Sequence, residues 1–297
     1  MPLDISQFQI EQQLLVEQAR STYSIEWHPQ LPDHLSPSSI SMFRRCPRQY
    51  QERYLHGRKE RPAEAPVIGT AVHAGLEHNF AQKIVSHDDL SAVELLTWFS
   101  DVGWPITLEL EQAKAGEEIL WDSKPEQAKV RGAKMLAEYR EMVAPRIQPT
   151  GIEGKVEVDF NAPVPVIGRF DIERETGVID VKTGRKAKRK PQESWRIQAA
   201  VYGEATGKPV EFHSLSASPE RGSVTIVTPL ESEDLLLAPG PSERAVLREN
   251  VRLVAAEIAL YMNLLGPDQT WPTYGRFHDW ACGWCGFRND CPAWSDE

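Results

Sequence analysis

The stretch GRFDIERETGVIDVKTGRK, Gly168–Lys186, decides how this chain is read. Apolar and polar residues alternate on either side of the polar run ERET, the period of two half-buried strands. A turn centred on Glu175 and Thr176 makes them an antiparallel hairpin and sets Asp171 directly opposite Asp180. Opposed side chains share a sheet face, with Cβ atoms roughly 4.5–5.5 Å apart. Two carboxylates so placed repel each other unless a cation stands between them, and magnesium or manganese, which prefer oxygen ligands, suit that position. Because side chains alternate along a strand, Lys182 projects on the Asp180 face, within reach of a phosphate or of a water on such an ion. Spacing alone leaves a second reading open, a surface ion-pair cluster on a hairpin.

Outward from the hairpin, KVEVDF (155–160), VPVIGRFDI (164–172) and GVIDVKT (177–183) read as successive strands between Pro and Gly breaks. A helix over about 191–206 and a strand at SVTIVTP (223–229) follow. Upstream, LSPSSISMFRRCPRQYQERYLHG (35–57) opens with capping-type residues and reads as two short helices broken near Pro47. Residues 66–82 form a further helix with His73 and Glu77 on one face at i and i+4. The stretch 88–144 is helical in three segments punctuated by Pro105 and Pro125, and 242–265 is a long amphipathic helix before an aromatic, cysteine-bearing tail. Residues 4–20 read as a helix with a partial apolar face. The predicted organisation is an N-terminal helical extension (1–35) and one domain (36–297). Within that domain lie a helical insertion (88–144), the catalytic core (150–230) and the C-terminal helix and tail (242–297).

Hydrophobic residues make up 41% of the 297 and charged residues 26%, the balance of a folded soluble protein. No apolar run approaches the roughly 18 residues of a membrane span, and MPLDISQFQI lacks a signal-peptide pattern, so a cytoplasmic protein without a membrane partner is expected. A net charge of −10 argues against nucleic acid in bulk, yet basic residues are concentrated. One run lies between Arg44 and Arg61; the other is Arg185, Lys186, Lys188, Arg189 and Lys190, directly after the hairpin. GEATGKP (203–209) lacks the spacing and the hydroxyl residue of a nucleotide-binding loop, so no helicase motor is expected.

There are four cysteines, Cys46 and then Cys282, Cys285 and Cys291 in a C-x2-C-x5-C run. A cytoplasmic setting disfavours disulfides, and the spacing suits one metal centre, zinc or iron–sulfur.

The hairpin resembles the nuclease core of the RecB-like families of the PD-(D/E)XK superfamily, in which an Asp follows a Gly on one strand and an Asp-x-Lys-Thr run ends the next. GTAVH (69–73) and QAAVY (198–202) match that family in register. The resemblance implies an α/β restriction-endonuclease-like core, a mixed sheet flanked by helices. It further implies metal binding by His73, Asp171, Asp180 and the carbonyl of Val181, catalysis by Lys182, and support from Gln198 and Tyr202. Glu157 and Glu77 are secondary candidates. The lone cysteine in CPRQY, with the later cysteine run, resembles the iron–sulfur branch, which includes AddB-type nuclease domains and the nucleases of CRISPR adaptation. That branch implies a 4Fe-4S cluster on Cys46, Cys282, Cys285 and Cys291, ahead of zinc. The function expected is a metal-dependent DNA nuclease, an exonuclease on single strands or duplex ends in recombination, repair, phage DNA processing or CRISPR adaptation. The alternatives are an accessory subunit of a separate helicase or integrase and a catalytically silent DNA-end-binding module.

Overall fold

The computed structural model describes residues 26–186, 188, 192–217, 222–226, 241–273, 279–283 and 285–294. The helix read at residues 4–20 therefore lies outside the described residues. Five strands form one mixed sheet in the order β1-β2-β3-β4-β5: β1 Gly151–Val158, β2 Val166–Arg174, β3 Gly177–Gly184, β4 Val210–Ala217 and β5 Gly222–Ile226. Pairing is antiparallel except between β3 and β4, which run parallel because the helix Glu193–Thr206 carries the chain across between them. The β2–β3 hairpin has the expected register, with Ile172 opposite Ile179 and Arg174 opposite Gly177.

Strand β4 is not apparent in the sequence, since VEFHSLSA carries polar residues that end up buried. Each has a partner. His213 Nδ1 lies 2.7 Å from the Tyr139 hydroxyl, Glu211 pairs with Arg174, and Ser214 Oγ accepts from the Lys188 amide at 2.9 Å. Partnered polar groups are tolerated in a core, so alternation of hydropathy is lost without loss of the strand.

Helices cover both sheet faces. The helices are α1 Pro37–Arg45, α2 Pro47–Tyr50, α3 Glu64–Ser86, α4 Ala92–Trp98, α5 Trp104–Ala115, α6 Pro125–Met142, α7 Glu193–Thr206, α8 Pro241–Leu265 and the short α9 Asp279–Gly283. On one face Val166, Phe170, Val178 and Phe212 pack with Phe43 of α1, Tyr202 of α7 and Ile258 of α8. On the other, Ile172, Ile179, Val181 and Leu215 pack with Val72 and Leu76 of α3 and with Leu136 and Tyr139 of α6. Burial of this apolar surface, at roughly 25 cal/mol per Å², is what holds the helices to the sheet. Helix α1 begins with a reciprocal cap: Ser36 Oγ accepts from the Ser39 amide, and Ser39 Oγ accepts from the Ser36 amide. The break at Pro47 falls where expected, with Cys46 in extended conformation between α1 and α2. No helix among the described residues is long and apolar enough to cross a membrane.

Candidate active site at the fork of two strands

Residues 170 and 172 of a regular strand share a face, but here Phe170 packs under α7 while Ile172 packs under α3. Strand β2 therefore turns over at Asp171. Its neighbour does the same. Ile152 pairs with Ile172 and Gly154 with Phe170, leaving Glu153 opposite Asp171 at a backbone φ of 50°. A left-handed residue that is not glycine costs roughly 1–2 kcal/mol, and such conformations concentrate at functional sites. Past this point β2 and β3 part, the ladder stopping at Ile172 and Ile179. Asp171 and Asp180, the next opposed pair, stand at the mouth of the fork.

Helices from both layers reach these two carboxylates. From α3, His73 Nδ1 lies 3.0 Å from Asp171 Oδ1, and the Val181 amide donates to Asp171 Oδ2 at 2.5 Å. From α7, the Tyr202 hydroxyl donates to the Arg169 carbonyl at 2.5 Å and stands 3.2 Å from Asp180 Oδ2. Lys182 Nζ is 2.5 Å from Asp180 Oδ1 and lies over the Phe212 ring, 5.8 Å from its centroid. Gln198 Nε2 donates to the Tyr202 hydroxyl at 3.4 Å.

Two glycines make this convergence possible. A Cβ on Gly168 would lie 2.7 Å from the Tyr202 ring, and one on Gly69 would lie 2.6 Å from Thr183 Oγ1. The first lets α7 bring Tyr202 against β2; the second lets α3 lie on β3 with His73 one helical turn further along. Both glycines belong to the motifs GRFD and GTAVH.

Burial dominates the electrostatics. It pushes the Asp180 carboxyl up to about 6, against the pull of Lys182 and with the help of the Asp171 charge. Burial disfavours protonated His73, yet the Asp171 hydrogen bond and the charges of Asp171 and Asp180 outweigh it, and the imidazole is raised. Burial and then Asp180 carry the Tyr202 hydroxyl far above its ordinary range, so it remains a donor. Glu153 is raised by burial and by its neighbours Asp171 and Glu77. Among the described residues no group of three or more His, Cys, Asp or Glu is arranged to hold a metal ion. The carboxylates are engaged by His73, Val181, Lys182 and Tyr202.

His73, Asp171, Asp180, Val181, Lys182, Gln198 and Tyr202 are thus brought together. Glu157 is not; it lies exposed on β1 opposite Ile167. Glu153 occupies the position beside Asp171 instead, and Glu77 is near enough to raise it. Only the β1–β2 register distinguishes Glu153 from Glu157; the connection at residues 159–165 carries the turn residues Asp159, Asn161, Pro163 and Pro165, with the Asn161 amide donating to Asp159 Oδ1, but its length leaves that register open in the sequence. In the basic run, Arg185 is ion-paired with Asp122, Lys186 and Lys188 are exposed, and Arg189 and Lys190 lie outside the described residues.

The four cysteines also converge, lining one cavity with Phe287 and Trp294. No disulfide joins them, and each is half-buried. Burial pushes the Cys285 thiol up, with Glu60, Cys46 and Cys291 adding to the shift. The tail is held by Gln51, just past the end of α2, whose Nε2 donates to the carbonyls of Pro267 and Gln269 at 2.7 Å each, while its Oε1 accepts from the Trp271 amide at 3.0 Å. Arg58 completes the contact, 2.5 Å from Asp290 Oδ2 and over the Phe287 ring.

A family profile described as the PD-(D/E)XK nuclease superfamily matches residues 34–292. No curated protein matches this chain. Among solved structures, a protein designated SSO0001 is 15% identical over 97% of this chain and 98% of its own, with a TM-score of 0.37. A protein of Eubacterium rectale named "Putative exonuclease" is 14% identical over 77% of this chain and 82% of its own, with a TM-score of 0.46. Both scores are low, and neither likeness adds to the family match.

Proposed function

The chain belongs to the PD-(D/E)XK nuclease superfamily, and on that premise we propose that it is a divalent-metal-dependent deoxyribonuclease of the RecB-like iron–sulfur branch, acting as an exonuclease on single strands or duplex ends. The observation that carries this reading is the pair Asp171 and Asp180 at the fork of β2 and β3, flanked by His73 and Lys182 within 3.0 Å and 2.5 Å. Two carboxylates and a backbone carbonyl are the oxygen donors that suit magnesium or manganese, with the imidazole of His73 beside them. His73, Asp171, Asp180 and the Val181 carbonyl would hold the ion, with Glu153 standing by. Lewis-acid activation of water and neutralisation of charge on the leaving oxygen are what a divalent cation supplies there when bound.

The chain's own groups do the rest. Lys182, released from Asp180, is placed to stabilise charge developing on a phosphodiester oxygen. Tyr202 fixes Asp180 through its hydroxyl, and Gln198 orients that hydroxyl. His73 holds Asp171 from the other layer.

Four cysteines lining one cavity are the donor set of a 4Fe-4S cluster, which Cys46, Cys282, Cys285 and Cys291 would hold as a cross-link between the two ends of the domain. Hydrolysis of a phosphodiester transfers no electrons, so its role here is structural.

The test is incubation of anaerobically purified protein with end-labelled linear and circular DNA, single-stranded and duplex, in magnesium or manganese. Degradation of linear forms with circles intact supports the exonuclease. Nicking of circles replaces it with an endonuclease, and binding without cleavage replaces it with an end-binding module.

A further inference from the structure

Lys155 of β1 and Arg169 of β2 are a directly opposed cross-strand pair, and both are exposed. Like charges so placed destabilise a sheet unless an anion offsets them. The anions at hand do so only in part. Glu153 Oε2 reaches Arg169 at 3.4 Å, while the nearby exposed Asp33 is paired with His34. Both cations line one open cleft, together with Ser36, Ser38, Gln198 and Tyr202. The cleft follows from the fork. Where β3 leaves β2, the chain at Leu35 takes its place, pairing with Val166 and exchanging backbone hydrogen bonds with Pro165 and Ile167. Between that segment, β2 and α7 a space of about 320 Å³ remains open.

One wall of this cleft is shared with the catalytic centre. The same Tyr202 hydroxyl that stands 3.2 Å from Asp180 donates to the backbone carbonyl of Arg169. The cleft and the carboxylate pair therefore adjoin at Tyr202.

We propose that this cleft is the track for a single DNA strand, gripped at its phosphates by Lys155 and Arg169 on the way to the fork. The inference rests on the nuclease reading and gives its substrate a path. The volume is that of a small-molecule site, room for one nucleotide unit at a time and not for a duplex, whose major groove alone is roughly 12 Å wide. Serine hydroxyls, an amide and two cations suit phosphate and sugar. Its one aromatic ring, Tyr202, is buried, so the cleft has no stacking platform for bases and the track is indifferent to sequence.

The experiment is a fluorescence-anisotropy titration of a labelled oligothymidylate against the full chain in EDTA, over a range of salt. Wild type is compared with the double variant Lys155→Ala, Arg169→Ala and with the charge-preserving Lys155→Arg, Arg169→Lys. The Ala pair is expected to bind at least tenfold more weakly. Its slope of log affinity against log salt should be shallower by about 1.4, two phosphate contacts at roughly 0.7 each for a single strand. The charge-preserving pair should restore most of both. An unchanged slope in a folded Ala pair overturns the track and leaves hydrolysis standing. Wild-type protein that leaves labelled DNA uncut in manganese overturns the nuclease reading and the track with it.

Discussion

The Tyr202 hydroxyl ties two strands together, donating to the Arg169 carbonyl of β2 at 2.5 Å while standing 3.2 Å from Asp180 Oδ2 on β3. It bridges the fork at the point where the ladder between those strands has ended. Tyr202→Phe should therefore loosen the Asp180 side of the site while keeping the ring that packs against Phe170. A lost buried hydrogen bond costs about 1 kcal/mol in stability, and a comparable loss of positioning lowers the rate of DNA hydrolysis about tenfold. Thermal unfolding and single-turnover cleavage measure the two effects separately.

Asp180, pushed up to about 6 by burial, gives a pH test with a defined sign. A carboxyl with a folded pKa above its unfolded value binds more protons in the native state, so its contribution to stability falls as pH rises from about 4 to 6. In metal-free protein, the stability of wild type relative to Asp180→Asn should decline across that interval. A difference that is flat, or that grows with pH, would show that Lys182 outweighs burial.

Gly69 lies where α3 touches β3, and Gly69→Ala places a methyl group 2.6 Å from Thr183 Oγ1. Overpacking at such a contact costs about 1–3 kcal/mol and pushes His73 away from Asp171. Thr183→Ala removes the clashing atom, so the double variant should regain much of the loss. A double-mutant cycle on unfolding free energies, with a coupling of about 1 kcal/mol or more, is the expected result.

The convergence of Cys46 with the tail cysteines makes a prediction about stability as well as colour. Anaerobically purified protein should be brown, with iron and sulfide near four each, as a 4Fe-4S cluster requires. Cys285→Ala should be colourless and melt on the order of 10 °C lower, since a cluster joining Cys46 to the tail would close a loop across most of the chain. One zinc and no iron would replace the cluster and keep the cross-link; an unchanged melting temperature would remove the cross-link too.

Much of the candidate site is legible in the sequence, part of it because it is local and part through family motifs. Asp171, Asp180 and Lys182 sit on one hairpin whose register follows from its turn, whereas His73 and Tyr202 are picked out by the resemblance of GTAVH and QAAVY to the family's motifs. Three things are not legible. Glu153 is hidden because its place depends on the β1–β2 register and on a kink that no residue type advertises. Strand β4 is hidden because Glu211, His213 and Ser214 are polar residues made burial-compatible by partners far away in the chain. The cleft beside Lys155 and Arg169 is hidden because it exists only where β3 departs from β2 and residues 35–38 fill the gap.

The most direct measurement is cleavage of end-labelled linear DNA in manganese by Asp180→Ala protein of native fold, set beside wild type. Loss of Asp180 removes one carboxylate of the pair and strands Lys182 without its partner. The expected result is cleavage reduced by at least a thousandfold, with oligonucleotide binding in EDTA largely retained. Cleavage at close to the wild-type rate would mean that the fork of β2 and β3 is not where the chemistry occurs.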